Sequence, residues 1–126
     1  MKLELKKNMY IRTKDGIIAK VDYIDDDTIF FNKDLYRTYG DSIDFLEKDN
    51  LERIVKASYS IIDILEVGDY VSTVTGECAV IAGVYNDINN KKYLRLCNCI
   101  GDYYENDIKS VITHEQIEQI AYKVGD

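Results

Sequence analysis

Apolar and polar positions along this chain alternate over short stretches broken by Gly, Asn and Asp, which is the two-residue period of half-buried strands and not the period of helices. Residues 9–14 carry β-branched and aromatic side chains, Asp15-Gly16 is a tight-hairpin dipeptide, and residues 17–24 alternate as the returning strand. The acidic run Asp25-Asp26-Asp27 makes the next turn. Residues 28–32, TIFFN, then read as a third strand that leads into a polar stretch through Tyr39-Gly40-Asp41. Residues 44–50 read as a short helical turn and residues 51–58 as a closing strand. A second series follows, with turns at Gly68-Asp69 and Thr75-Gly76 and strands from Tyr70 and over 78–85, 93–100 and 108–112. Thr113 with Gln116 three residues on has capping-box spacing, predicting a short helix from His114 to about Gln119 and a last strand over 121–124.

The two series match each other. YIRTKDGIIAKV at residues 10–21 aligns without a gap on YVSTVTGECAVI at residues 70–81, pairing Tyr10 with Tyr70, Thr13 with Thr73, Gly16 with Gly76 and Ala19 with Ala79. Farther on, NLERIV and DIKSVI align as Leu51 with Ile108, Ile54 with Val111 and Val55 with Ile112, so the offset falls from sixty to fifty-seven residues. Short strands separated by turns at this spacing predict a mainly β protein with minor α content. The expected architecture is two tandem, duplicated SH3-like small antiparallel barrels packed together, residues 1–58 and residues 59–126, the second ending in a short helix. Units of this size bury little apolar area alone, so a shared hydrophobic interface is expected.

Composition narrows the function classes. A chain of 126 residues with 46% hydrophobic and 31% charged residues folds as an ordinary globular protein. The net charge of -7 disfavours a phosphate-backbone partner, and the acidity is uneven: residues 1–57 hold eleven basic and twelve acidic side chains, residues 58–126 five and eleven. No apolar run approaches the roughly 20 residues of a membrane span, and the start, MKLELKKNMYIR, lacks the apolar core of a secretion signal, so a cytoplasmic protein is expected.

Candidate chemistry is sparse. Cys78, Cys97 and Cys99 are odd in number and read as free thiols filling the core; Cys97 and Cys99 would share one strand face, yet only Cys78 and His114 remain to complete a zinc site. The Asp25–Asp27 turn lacks the glycine and distal glutamate of a calcium loop. His114-Glu115 is the sole histidine with an acidic neighbour, but no nucleophile elbow, phosphate-cradling glycine loop or paired-histidine motif exists. No enzyme, metal or cofactor is therefore expected. The compositional oddity is tyrosine, eleven residues against three Phe and no Trp. Tyr103 and Tyr104 lie among Asp102, Glu105, Asp107, Glu115 and Glu118, an acidic and aromatic composition suited to a basic protein surface and capable of placing carboxylates where nucleic-acid phosphates lie. Tyr36 and Tyr39, with Arg37 between them, offer a second aromatic pair that could stack on a base.

Three stretches resemble a known class. MYIRTKDGI at residues 9–17 resembles the opening of many short proteins encoded by phages and prophages of low-GC Gram-positive bacteria, and SIIDILEVGDYV at residues 60–71 and ITHEQIEQIAYKVG at residues 112–125 resemble their closing pattern. The order of the aliphatics is swapped at Ile64 and Leu65, and His114 also departs from the pattern. The resemblance implies a mobile-element accessory protein, a class that includes inhibitors of CRISPR nucleases and of other host defences. The expected function is thus binding of a host protein through Tyr103, Tyr104, Glu105, Asp107, Asp102 and Glu115. The alternatives are a binder of nucleotide immune signals through Tyr36 and Tyr39 and a self-associating scaffold or homodimer.

Overall fold

The structure, a computed structural model, describes residues 4–32 and 43–118. Tyr36, Arg37, Tyr39 and the expected strand at 121–124 lie outside the described residues. Among the described residues, nine strands form two antiparallel sheets. The first contains β1 (Tyr10–Thr13), β2 (Ile18–Ile24), β3 (Thr28–Asn32), β4 (Phe45–Glu47) and β5 (Ile54–Ser58) in the order β4-β3-β2-β1-β5. The second contains β6 (Tyr70–Thr73), β7 (Cys78–Asn86), β8 (Lys92–Leu96) and β9 (Ile108–Ile112) in the order β8-β7-β6-β9. Short 3-10 turns at Lys48–Arg53, Ile61–Ile64 and Glu105–Asp107 precede or link strands. A helix, α1, begins at residue 114 and is described to residue 118.

The fold is mainly β, but among the described residues neither sheet closes, so two open sheets stand where barrels were expected. Closure requires the outer strands to exchange hydrogen bonds. At the ends of the first sheet, β4 is only three residues long and β5 packs against the Ile61–Ile64 turn. Pairing within the two sheets runs in parallel registers: Tyr10↔Lys20 and Arg12↔Ile18 in one, Tyr70↔Val80 and Ser72↔Cys78 in the other. The closing strands repeat as well, with Tyr10↔Ser58 and Thr13↔Ile54 answered by Tyr70↔Ile112 and Thr73↔Ile108, each with a bulge before the threonine. Ile54 thus corresponds to Ile108, and the alignment of Ile54 with Val111 is three residues out of register. The cause is that residues 51–53 are not strand; Leu51 belongs to the Lys48–Arg53 turn, as Glu105 belongs to the turn before β9.

Among the described residues, two apolar clusters form the core. One, around Ile11, Val21, Ile29, Phe31, Leu46 and Ile54, is the inner face of the first sheet. The other unites Tyr10 and Ile18 of that sheet with Ile61, Ile62, Ile64, Val71, Ile81, Leu94 and Val111. All four residues of β1 are therefore buried, Ile11 and Tyr10 entering different clusters as alternation requires. Ile61, Ile62 and Ile64, all nearly inaccessible, fill the space between the sheets. Their burial, near 25 cal/mol per Å² of apolar surface, drives the packing of one sheet on the other.

The cysteines do not fill the core. β8 stops at Leu96, short of the expected end, because Asn98 adopts a φ of 63° and turns the chain. Cys97 and Cys99 therefore lie beyond the strand, not side by side on its face. Cys78 and Cys97 are exposed, and Cys99 is half-buried against the second cluster.

Candidate functional site

One charged side chain organises the junction of the sheets. Arg12 points from β1 towards the second sheet and is wholly buried. Its Nη1 donates to Asp69 Oδ2 at 2.6 Å and to the Ile64 carbonyl at 3.0 Å, its Nη2 donates to Asp69 Oδ1 at 2.9 Å, and its Nε donates to Glu115 Oε2 at 3.2 Å. A further bond from Nη2 reaches Glu115 Oε1. The planar fork meets Asp69 in the bidentate geometry that suits a guanidinium. Asp69, also fully buried, accepts in addition from the amides of Glu66 at 2.8 Å and His114 at 2.9 Å. One carboxylate thereby ties the turn before β6 to both β1 and the start of α1.

The helix is set against the first hairpin. Thr113 Oγ1 donates to the Gly16 carbonyl at 2.8 Å, while the Thr113 amide donates to Gln116 Oε1 at 3.2 Å and the Gln116 amide to Thr113 Oγ1 at 3.4 Å, the expected capping box. His114 then lies with Nε2 2.6 Å from Glu66 Oε1, whose other oxygen is 2.9 Å from Lys56 Nζ. Burial disfavours the Glu66 anion, but hydrogen bonds from His114 and Lys56 and the nearby Arg12 charge outweigh it and hold the carboxyl down at about 2. The bond to Glu66 raises His114 above its usual range, aided by Glu115 and Asp69 against burial and Arg12.

His114, raised from 6.5, adds stability that is complete below its unfolded value and is lost as pH rises through the folded one. Glu66, lowered from 4.5, adds stability present above 4.5 that is lost as pH falls towards about 2. Thermal denaturation in a chelating buffer is expected to give the highest Tm between these unfolded values, with an alkaline decline that His114→Gln abolishes. An alkaline decline of equal size in His114→Gln would remove His114 as its source.

The second feature is aromatic. Tyr85 on β7 and Tyr93 on β8 pair across the strands with ring centroids 5.8 Å apart, and Tyr93 lies 5.7 Å from Tyr104. Lys91 Nζ sits 5.1 Å from the Tyr104 centroid and the Arg95 guanidinium 5.9 Å from that of Tyr85. Tyr104 Oη donates to Asp87 Oδ2 at 3.0 Å, and Arg95 Nε to Asp102 Oδ1 at 3.2 Å. The bond to Asp87 raises the Tyr104 phenol and keeps it a donor. Tyr85 folds back over Gly83, where a Cβ would come within 2.5 Å of its hydroxyl. The glycine is what lets the ring lie down on the sheet.

The residues expected to form one contact surface have separate roles. Tyr104 and Asp102 belong to the aromatic face. Tyr103, expected at the surface, is 8% exposed and enters the core while its backbone bridges Leu94, because adjacent residues of an extended segment point opposite ways. Glu105 accepts from the Ile61 amide at 3.0 Å, Asp107 accepts from the Tyr104 amide at 2.8 Å, and Glu115 binds Arg12. These acidic groups fasten the fold. Arg12, Glu66, Asp69, Tyr85 and Tyr93 were not singled out by the pattern. An arginine inside the strand-like run Tyr10-Ile11-Arg12-Thr13 and tyrosines at both ends of residues 85–93 are the sequence signals they leave.

Glu66, His114 and Glu115 each bring one ligand-type atom within 4.8 Å of the others. The chain has no significant match to a protein family, a curated protein or a solved structure.

Proposed function

We propose that this is a non-enzymatic accessory protein of phage or prophage origin that binds a host protein and acts as an anti-defence inhibitor of the anti-CRISPR kind, its two sheets being diverged copies of one unit. The parallel registers support the duplication, and the three resembling stretches support the origin. The observation that carries the binding reading is the contiguous row Tyr85, Tyr93 and Tyr104 on one face of the second sheet, rimmed by Lys91, Arg95, Asp87 and Asp102. Tyrosines of this kind supply large contact area with few rotatable bonds, and the charges at the rim set register and partner. The face carries both signs of charge, so recognition rests on aromatic packing with local charge pairing and not on bulk acidity.

Expression in a host with active CRISPR immunity is expected to restore plating of a targeted phage. The double variant Tyr93→Ala/Tyr104→Ala, if folded by thermal denaturation, is expected to lose at least about tenfold of that effect, as removal of central aromatic anchors does. Unchanged plating with the unaltered protein would contradict the anti-CRISPR reading.

A further inference from the structure

We propose that Glu66, His114 and Glu115 form a binding site for a divalent transition-metal ion, zinc being the ion it suits best, which clamps α1 to the turn before β6. The donors come from the two segments that Asp69 already joins. His114 Nε2 lies 3.3 Å from Glu115 Oε1, about the edge length of a tetrahedron with metal bonds near 2.0 Å, and 2.6 Å from Glu66 Oε1, which must open by a few tenths of an ångström to admit an ion. One imidazole nitrogen with two carboxylate oxygens favours zinc over calcium or magnesium, which prefer all-oxygen shells. A fourth position is left for water. The three side chains are each between 19% and 32% exposed, so an ion can enter from solvent.

Arg12 is the obvious objection, being cationic and close by. Its Nη2 and Nε bond both oxygens of Glu115, so Glu115 has to bridge the guanidinium and the ion through its remaining lone pairs, while Arg12 approaches Glu66 Oε1 only to 3.6 Å. That oxygen bonds instead to His114. Charge supports an added cation. Glu66, Asp69, Glu115 and Glu118 bring four negative charges against Arg12 and Lys56, a deficit of two, and an ion that binds has to displace the proton His114 shares with Glu66. Glu118 Oε1 lies 3.9 Å from His114 Nδ1, on the side where metal-bound histidines have a carboxylate that fixes the tautomer.

The exposed thiols could also take up zinc, so the test is made in the full chain carrying Cys78→Ser, Cys97→Ser and Cys99→Ser. Isothermal titration with zinc chloride near neutral pH is expected to show one site per chain. His114→Ala and, separately, Glu66→Gln are each expected to weaken it at least tenfold, whereas calcium and magnesium give no saturable binding. Cobalt(II) should give visible absorption of low-coordinate nitrogen and oxygen ligation. Absence of zinc binding in the cysteine-free protein overturns the proposal, as does binding that both variants leave intact. The titration is independent of partner binding, so its failure leaves the tyrosine face untouched.

Discussion

Replacing Arg12 by alanine is expected to cost about 3–5 kcal/mol of folding free energy, the range for breaking a buried ion pair on one side. Domains of ordinary size have only about 5–15 kcal/mol to lose. The loss comes chiefly from what remains: Asp69 would stay buried between the sheets with its arginine gone, and the Ile64 carbonyl would lose its donor. The double variant Arg12→Met/Asp69→Leu should regain part of the loss by exchanging charge for apolar packing. It should not reach the parent, because the Glu66 and His114 amides would lose their acceptor. Urea denaturation with a shared m-value measures both. A cost below about 1 kcal/mol for Arg12→Ala would mean that this pair does not hold the junction.

A pair of glycines gives the second large effect and its own control. Gly16 and Gly76 occupy matching hairpin turns with φ of 85° and 99°. Alanine at either carries the strain of a left-handed conformation, of order 1–3 kcal/mol. At Gly16 the new Cβ would also fall 2.2 Å from Thr113 Oγ1 and 2.9 Å from Glu115 Cβ, whereas at Gly76 it meets nothing within 4 Å. Gly16→Ala must therefore displace the first turn of α1 and give up the Thr113 bond to the Gly16 carbonyl, a further cost of about 0.5–1.5 kcal/mol. The difference in unfolding free energy between the two variants isolates the docking of α1. Equal losses would show that the helix does not depend on that turn.

Local pattern carries information where the residues that decide an element are close in sequence, and stops where they are not. The strands at 28–32 and 108–112 are legible because TIFFN and IKSVI are short β-rich runs between turn residues, and the α1 start is legible because Thr113 and Gln116 need only each other. The closing strands are harder: a 3-10 turn and a strand can share the same apolar spacing, and NLERIV holds the end of one and the start of the other. The junction is illegible for a different reason. Nothing in the local pattern marks Arg12, because the partners that satisfy it, Asp69 and Glu115, lie 57 and 103 positions away. The tyrosine row is half legible: Tyr104 stands out beside charge, but Tyr85 and Tyr93 meet it only through the β7–β8 register. Tyr103, its neighbour, is diverted inward by the bridge to Leu94.

Binding through the aromatic face of the second sheet is the central claim, and affinity capture from a host lysate tests it most directly. The tagged protein, its Tyr93→Ala/Tyr104→Ala variant and a variant of the exposed first-sheet aromatics, Tyr23→Ser/Phe45→Ser, are compared at low and high salt. One host protein is predicted to be retained in stoichiometric amount by the parent and the first-sheet variant, lost from the Tyr93/Tyr104 variant, and weakened by salt as the rim charges are screened. Retention by the Tyr93/Tyr104 variant, or loss on the first-sheet variant alone, would contradict the account.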